Sequence, residues 1–161
     1  MAVDMFLKLE GIKGESQDKT HKGEIHIESF SWGVNQTGIH GVGGGGGAGK
    51  VAVHDLSITK FVDKSSPELL AHCCNGKHIS SGLITVRKAG ENPLEYLKIK
   101  LTDILVSGVQ NAGHGAGDLL TENLTLNFAK FNVDYQEQDS KGKAAGGPVR
   151  MGWDVKANAK L

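Results

Sequence analysis

The sequence predicts an all-β protein with one short helix: a single domain over residues 1–161, closed into a β-barrel of about seven to eight strands. Three observations carry this expectation. Apolar and polar residues alternate at a period of two along most of the chain, as in "VDMFLKL", "EYLKIKLTDILVSGV" and "LTLNFAKFNVDY". Several of these runs change phase part-way, which turns the apolar side chains from one face to the other. A single stretch, "DKSSPELLAHCCNGK", carries helix punctuation at both ends.

In the first strand Val3, Met5, Leu7 and Leu9 share a face. "EIHIESFSWGV" follows, with Ile25 and Ile27 giving way to Phe30, Trp32 and Val34. "VAVHDLSITKFV" is the third run, and "GLITVRK" comes after the helix. In "EYLKIKLTDILVSGV" the series Leu97, Ile99, Leu101 shifts to Ile104 and Val106. In "LTLNFAKFNVDY" Leu124, Leu126 and Phe128 give way to Phe131, Val133 and Tyr135. Each shift predicts a β-bulge or a sharp bend of the kind that curls a sheet into a barrel. The last strand, "PVRMGWDV", places Val149, Met151, Trp153 and Val155 on one face. In the helix Ser65 or Ser66 is the N-cap, Pro67 and Glu68 fill the first turn, and Asn75-Gly76 ends it after about two turns. Leu69, Leu70 and Cys73 are expected to pack inward. Loops are expected at 11–23, 36–50, 89–93, 107–120 and 136–148.

Eighteen basic and eighteen acidic residues cancel, so no bulk charge draws the chain to nucleic acid or to an anionic membrane. The start, "MAVDMFLKLEGIKGESQDK", has neither the basic opening nor the apolar stretch of a secretory signal, and no segment is apolar and long enough to span a bilayer. Folding in the cytoplasm is the expectation, which leaves open later export of the folded protein.

The stretch "HGVGGGGGAGK" approaches a phosphate-binding loop, with Gly44, four residues, then Gly49 and Lys50. Val51 stands where the magnesium-binding hydroxyl belongs, and the chain then enters a strand rather than a helix, so nucleotide binding is not expected. His72, Cys73, Cys74 and His78 have no second ligand pair elsewhere, and the adjacent cysteines are expected as free thiols. His21, His40 and His114 sit among loop formers and are expected to be solvated, while His26 and His54 occupy polar phases of strands. Glu24, Glu28, Asp55, Glu95, Asp103, Glu122 and Asp134 lie on polar phases or strand ends, with no acidic pair spaced for acid-base work. No metal, cofactor or enzymatic activity is expected.

Six stretches, "MAVDMFLKLEGIKGES", "FSWGV", "DLSITKFVDKSSPEL", "TVRKAG", "LTENLTLNFAKFNVDY" and "GGPVRMGWDVKAN", resemble in order and spacing the Hcp family, the haemolysin-coregulated tube proteins of bacterial type VI secretion. The resemblance covers nearly the whole chain. It implies a compact barrel with one flanking helix, assembly into six-membered rings, and stacking of those rings into a hollow tube. A contractile sheath on its baseplate would expel the tube, tipped by a spike protein of the valine-glycine-repeat family, and small effector proteins would ride in the lumen. It therefore implies secretion through that apparatus, without a signal peptide. On this reading the lumen wall is polar but weakly charged, which suits Ser29 and Ser31; their polar phase suits an ordinary outer surface equally well. The loop carrying Gly43, Gly44, Gly45, Gly46, Gly47 and Lys50, and the turn with Gly90 and Glu91, are expected to reach onto the next ring. Two other readings stand beside it: a small-molecule or glycan-binding β-barrel, and a thiol or metal enzyme.

Overall fold

The computed structural model describes residues 3–39 and 47–161. In chain order the elements are β1 (Val3–Leu9), β2 (Ile25–His26), β3 (Ser29–Ser31), β4 (Val34–Asn35), β5 (Gly38–Ile39), β6 (Gly47–Ala48), β7 (Ala52–Val53), β8 (Leu56–Phe61), α1 (Ser66–Asn75), β9 (Ile79–Lys88), β10 (Glu95–Ala112), β11 (Thr121–Tyr135), β12 (Val149–Asp154) and β13 (Ala159–Lys160). Antiparallel pairing runs β1, β9, β10, β11, and β11 also pairs with β8 and then with β12.

The barrel closes through one short segment. Residues 25–31 begin against β1, where Phe6 faces His26 and Leu7 faces Ile25, and end against β8, where Ser29 faces Thr59 and Ser31 faces Ser57. At the crossing the Ile27 amide donates to Met5 O at 3.1 Å and the Glu28 amide to Thr59 O at 2.8 Å, so one strand is bonded to both walls. Counted as one crossing strand, β2 and β3 join β1, β8, β9, β10 and β11 to complete the barrel, with β12 attached outside it, in agreement with the expected fold class.

The phase shifts mark these exchanges of partner. Ile27 and Phe30 flank the passage from β1 to β8. Phe128 and Phe131 flank the point where β11 leaves β8, last paired at Leu126, for β12, first paired at Lys130. Opposite them Leu101 and Ile104 flank Asp103, whose φ of 55° turns the backbone so that both neighbours point inward. The register is unbroken there; the bulges lie elsewhere, between Glu95 and Leu97 and between Val106 and Gly108. His78 donates to the Asp103 carboxylate at 2.6 Å, with Lys156 at 3.8 Å, and the His78 bond holds that carboxyl below its usual range.

The interior is filled by side chains: Leu7, Ile25, Leu56, Ile84, Leu101, Ile104, Leu124 and Leu126 are all fully buried. Helix α1 covers one end through Leu69, also fully buried. Ser65 is the N-cap residue, Pro67 lies in the first turn, and Gly76, at φ 67°, ends the helix with its amide bonded to His72 O at 3.0 Å. The helix spans ten residues rather than about two turns. Leu70 is exposed, contrary to expectation, because residues 69 and 70 are about 100° apart on a helix and Leu69 with Cys73 takes the inward side.

Two further expectations are corrected. Strand β10 runs on to Ala112, where a loop from 107 was expected, because residues 108–112 pair with β11. Gly108 sits in that strand because a Cβ there would come within 2.6 Å of Thr125 Oγ1, a close approach and not a loop signal. The described part of the 36–50 stretch is not simple loop: β4 pairs with β7, β5 with β6, and the Gly49 amide donates to Thr37 O, forming a ribbon arm that prolongs β3 and β8. On β12, Val149 and Met151 are 72% and 44% exposed, since this strand pairs only with the part of β11 that has left the barrel, whereas Trp153 and Val155 pack on the core.

Candidate functional site: a neutral hydroxyl and amide face

Pairing between β3, β8, β11 and β10 sets outward-pointing residues in rows across the barrel wall. Ser29, Thr59, Asn123 and Gln110 form one row, and Ser31, Ser57, Thr125 and Gly108 the next. The bulged residue Ser107 projects beside the second row. Two pairs of neighbours bond: Thr59 Oγ1 donates to Asn123 Oδ1 at 2.9 Å, and Ser107 lies 2.9 Å from Thr125 Oγ1. The Asp55 carboxylate adjoins these rows, and both its oxygens are engaged, by Ser107 at 2.7 Å and Asn127 at 2.8 Å.

The face is anchored from below by aromatic packing. Phe30, between Ser29 and Ser31, and Trp32 turn toward the core. The Trp32 ring meets Phe131 at 4.8 Å and Phe128 at 6.0 Å, both edge-on, and its Nε1 donates to His54 O at 3.0 Å at the root of the ribbon arm. Ser29 and Ser31 are therefore held on a stiff strand. Chemically such a wall offers many weak hydrogen bonds from hydroxyls and amides, with the Asp55 charge held by two neutral donors.

Elsewhere the surface differs. Across β1, β9 and β10, charged groups gather: Arg87 bonds Asp18 and lies 3.4 Å from Asp4, and His21 sits between Glu24 at 2.7 Å and Glu95 at 2.6 Å. His21 is 7% exposed, which overturns its expected solvation; the signal was the spacing of Asp18, His21 and Glu24 at intervals of three. Glu122 was read as lying on a polar phase or strand end, yet it points into the barrel. Its carboxylate accepts from Lys60 Nζ at 2.5 Å and from Ser66 Oγ at 2.7 Å, all buried against the start of α1. The local sequence gave no sign of this pair, whose members are 62 residues apart.

The remaining expected site residues are placed as follows. Gly90, at φ 146°, and Glu91 are exposed in the turn between β9 and β10. Gly47 lies in β6 and Lys50 is exposed beyond it; Gly43, Gly44, Gly45 and Gly46 lie outside the described residues. Cys73 and Cys74 are free thiols. Among the described residues no group of three or more His, Cys, Asp or Glu could hold a metal ion, and no helix is long and apolar enough to cross a membrane.

A filled barrel carrying an extended neutral wall, with exposed apolar side chains at its margin, is a protein that presents surfaces. The pattern described as "Type VI secretion system effector, Hcp" matches residues 6–135. The chain is 54% identical to Protein hcp1 of Pseudomonas aeruginosa over 161 residues, 99% of each. Its fold is similar to that of Hcp1 from Salmonella typhimurium, with 38% identity over the whole of both chains and a TM-score of 0.81. It is also similar to a solved type six secretion system protein, with 28% identity, a TM-score of 0.93, and coverage of 99% and 100%. The chain belongs to the Hcp family of type VI secretion system proteins, a family of structural, secreted tube proteins.

Proposed function

We propose that this chain is the tube subunit of a type VI apparatus, forming six-membered rings that stack into a hollow conduit, with the neutral face lining the lumen and effector proteins carried against it. The observation that carries this reading is the pair of rows holding Ser29 and Ser31, an array of hydroxyls and amides in which Thr59 bonds Asn123 and Ser107 bonds Thr125. Such a wall grips a passing protein through shallow contacts that break easily, whereas a charged or apolar wall would retain it. The exposed apolar strip of Tyr135, Val149 and Met151 supports contact with a neighbouring subunit, since water-exposed side chains of this size gain from being covered. The ribbon arm, with Lys50 between β6 and β7, and the turn holding Gly90 and Glu91 are the parts that reach the next ring in the stack. A spike protein of the valine-glycine-repeat family, a contractile sheath and baseplate proteins are the partners such a tube requires, and export through them is its route out of the cell. The alternative of a ligand-binding barrel finds no support in an axis filled by Leu7, Ile84 and Leu124.

Light scattering after size exclusion tests the ring: a persistent species at six times the 17.1 kDa of one chain is expected across protein concentrations. A monomer at every concentration would overturn the reading. Within that ring, Ser31→Gln, which sets a longer amide on the wall, should weaken effector retention in a co-purification assay and leave ring mass unchanged. Retention equal to that of the parent chain would take Ser31 off the lumen.

A further inference from the structure

From Lys13 to Glu24 the chain contains no Leu, Ile, Val, Met, Phe, Tyr or Trp. It nevertheless lies closed against the barrel wall, where Phe6 and Arg87 are 3% and 9% exposed. Its own backbone bonds fold it back on itself, with the Gly14 amide donating to Gly23 O and the Ser16 amide to Glu24 O. Hydrophobic burial does not hold the segment down, so charge and stacking must. One end is fixed where Arg87 Nη1 donates to Asp18 Oδ1 at 3.0 Å, with Arg87 also over the Phe6 ring at 5.0 Å. At the other end the His21 ring stacks on Phe6, with centroids 4.4 Å apart and planes 12° from parallel.

His21 has a carboxylate at each ring nitrogen, Glu24 at Nδ1 and Glu95 at Nε2. A neutral imidazole has one N–H and one lone pair, so it can donate to only one of them and must turn its lone pair on the other. Only the imidazolium satisfies both. We propose that residues 13–24 form a strap that stays closed only while His21 carries its proton, and that loss of this proton releases the strap from β1 and β10. The other charged groups around the ring are accounted for. Lys98 on β10 lies 3.3 Å from Glu95, and Arg87 on β9 is engaged with Asp18 and with Asp4 of β1. His26 on β2 meets the edge of Phe6 at 5.9 Å. None of these can donate a proton into both carboxylates in place of His21. Two polar atoms at this wall, Thr85 Oγ1 and Arg87 Nε, are buried without a hydrogen-bond partner.

The acid side behaves oppositely. The Arg87 guanidinium beside Asp18 holds its carboxyl well below the usual carboxylate range, despite partial burial. A carboxyl lowered on folding stabilises the closed form above its ordinary value and loses that contribution only as the pH falls through its lowered one. The Asp18 end therefore stays fixed through mild acid. At Glu95 burial disfavours the ionised form, but hydrogen bonds from His21 and Lys98 outweigh it, so this carboxyl too is lowered and stays ionised in the same range. These two carboxyls therefore do not set the release.

Hydrogen exchange read by mass spectrometry tests this in the full chain, whatever its assembly state, at about pH 6 and about pH 9, a span that covers the charge change of an imidazole. Protection factors, corrected for the intrinsic pH dependence of exchange, are compared for a peptide covering 13–24 and one covering β11. The strap peptide is expected to lose protection by about tenfold or more at the higher pH, the scale of one charge-assisted hydrogen bond, with β11 unchanged. Glu95→Gln supplies an amide that can donate to the deprotonated Nε2 while Nδ1–H still serves Glu24, so this variant should stay protected at both pH values. His21→Gln should be loosened equally at both. Equal protection of the parent strap at the two pH values, or a full pH response retained in Glu95→Gln, would overturn the proposal.

Discussion

Lys60→Met should lower the unfolding free energy by about 3–5 kcal/mol, read as a fall in the urea midpoint at unchanged slope. Lys60 Nζ lies 2.5 Å from Glu122 Oε2, 3.1 Å from Asp63 Oδ1 and 3.1 Å from Phe61 O, and neither the Lys60 nor the Glu122 side chain has any exposed surface. Methionine fills the same space but leaves Glu122 as a buried charge with Ser66 Oγ as its one remaining donor, and its Oε1 has no partner even in the parent chain. The effect would consume a large part of the 5–15 kcal/mol that typically separates folded from unfolded domains. Replacing the pair together, as Lys60→Met with Glu122→Leu, should recover most of the loss, because the uncompensated charge goes with it. A single variant that costs less than about 1 kcal/mol would mean the pair is reached by water.

Phe131→Ala is the second large effect, with an expected loss of about 3–5 kcal/mol. Phe131 is 4% exposed and packs edge-on to both Trp32 and Phe128, at 4.8 and 6.0 Å, while Trp153 faces it across the β11–β12 ladder. Removing the ring opens a cavity between the chain's two tryptophans, so emission should change along with the melting temperature. A melting temperature within a degree or two of the parent would show that Trp32 is held by other contacts. Since Trp32 follows Ser31 directly, the same variant would loosen the neutral face that we assign to the lumen.

The sequence carried the fold wherever local periodicity controls it. The two-residue alternation of 95–106 and 121–135 survives as β10 and β11, and Pro67 and Gly76 bound α1 as their conformational preferences demand, while Ser65 takes the N-cap position without a side-chain capping bond. The phase shifts at Phe30, Ile104 and Phe131 were visible too, but whether each meant a bulge or a change of partner depended on strands far away in the chain. Glycine misled at Gly108, where the reason for it is the Thr125 side chain on another strand. Ser29 and Ser31 were legible as outward and polar, yet the breadth of the face they belong to depends on β8, β10 and β11 lining up beside them. Lys60 with Glu122, and His21 with Glu95, are partnerships across 62 and 74 residues that no window on the sequence can contain.

The ribbon arm continues from both strands of one pair, β3 and β8, with the His54 amide bonded to Gly33 O at its root. A pull on the arm is thus shared between two strands. β8 is gripped along six consecutive residues by β11, and β3 runs back without a break into the segment that clasps β1. Tension directed along these strands would load the bonds of each ladder together, in shear, instead of peeling them one after another from an end. A subunit tugged through its arm by a neighbour, as the proposed stacking requires, would then resist as a whole barrel.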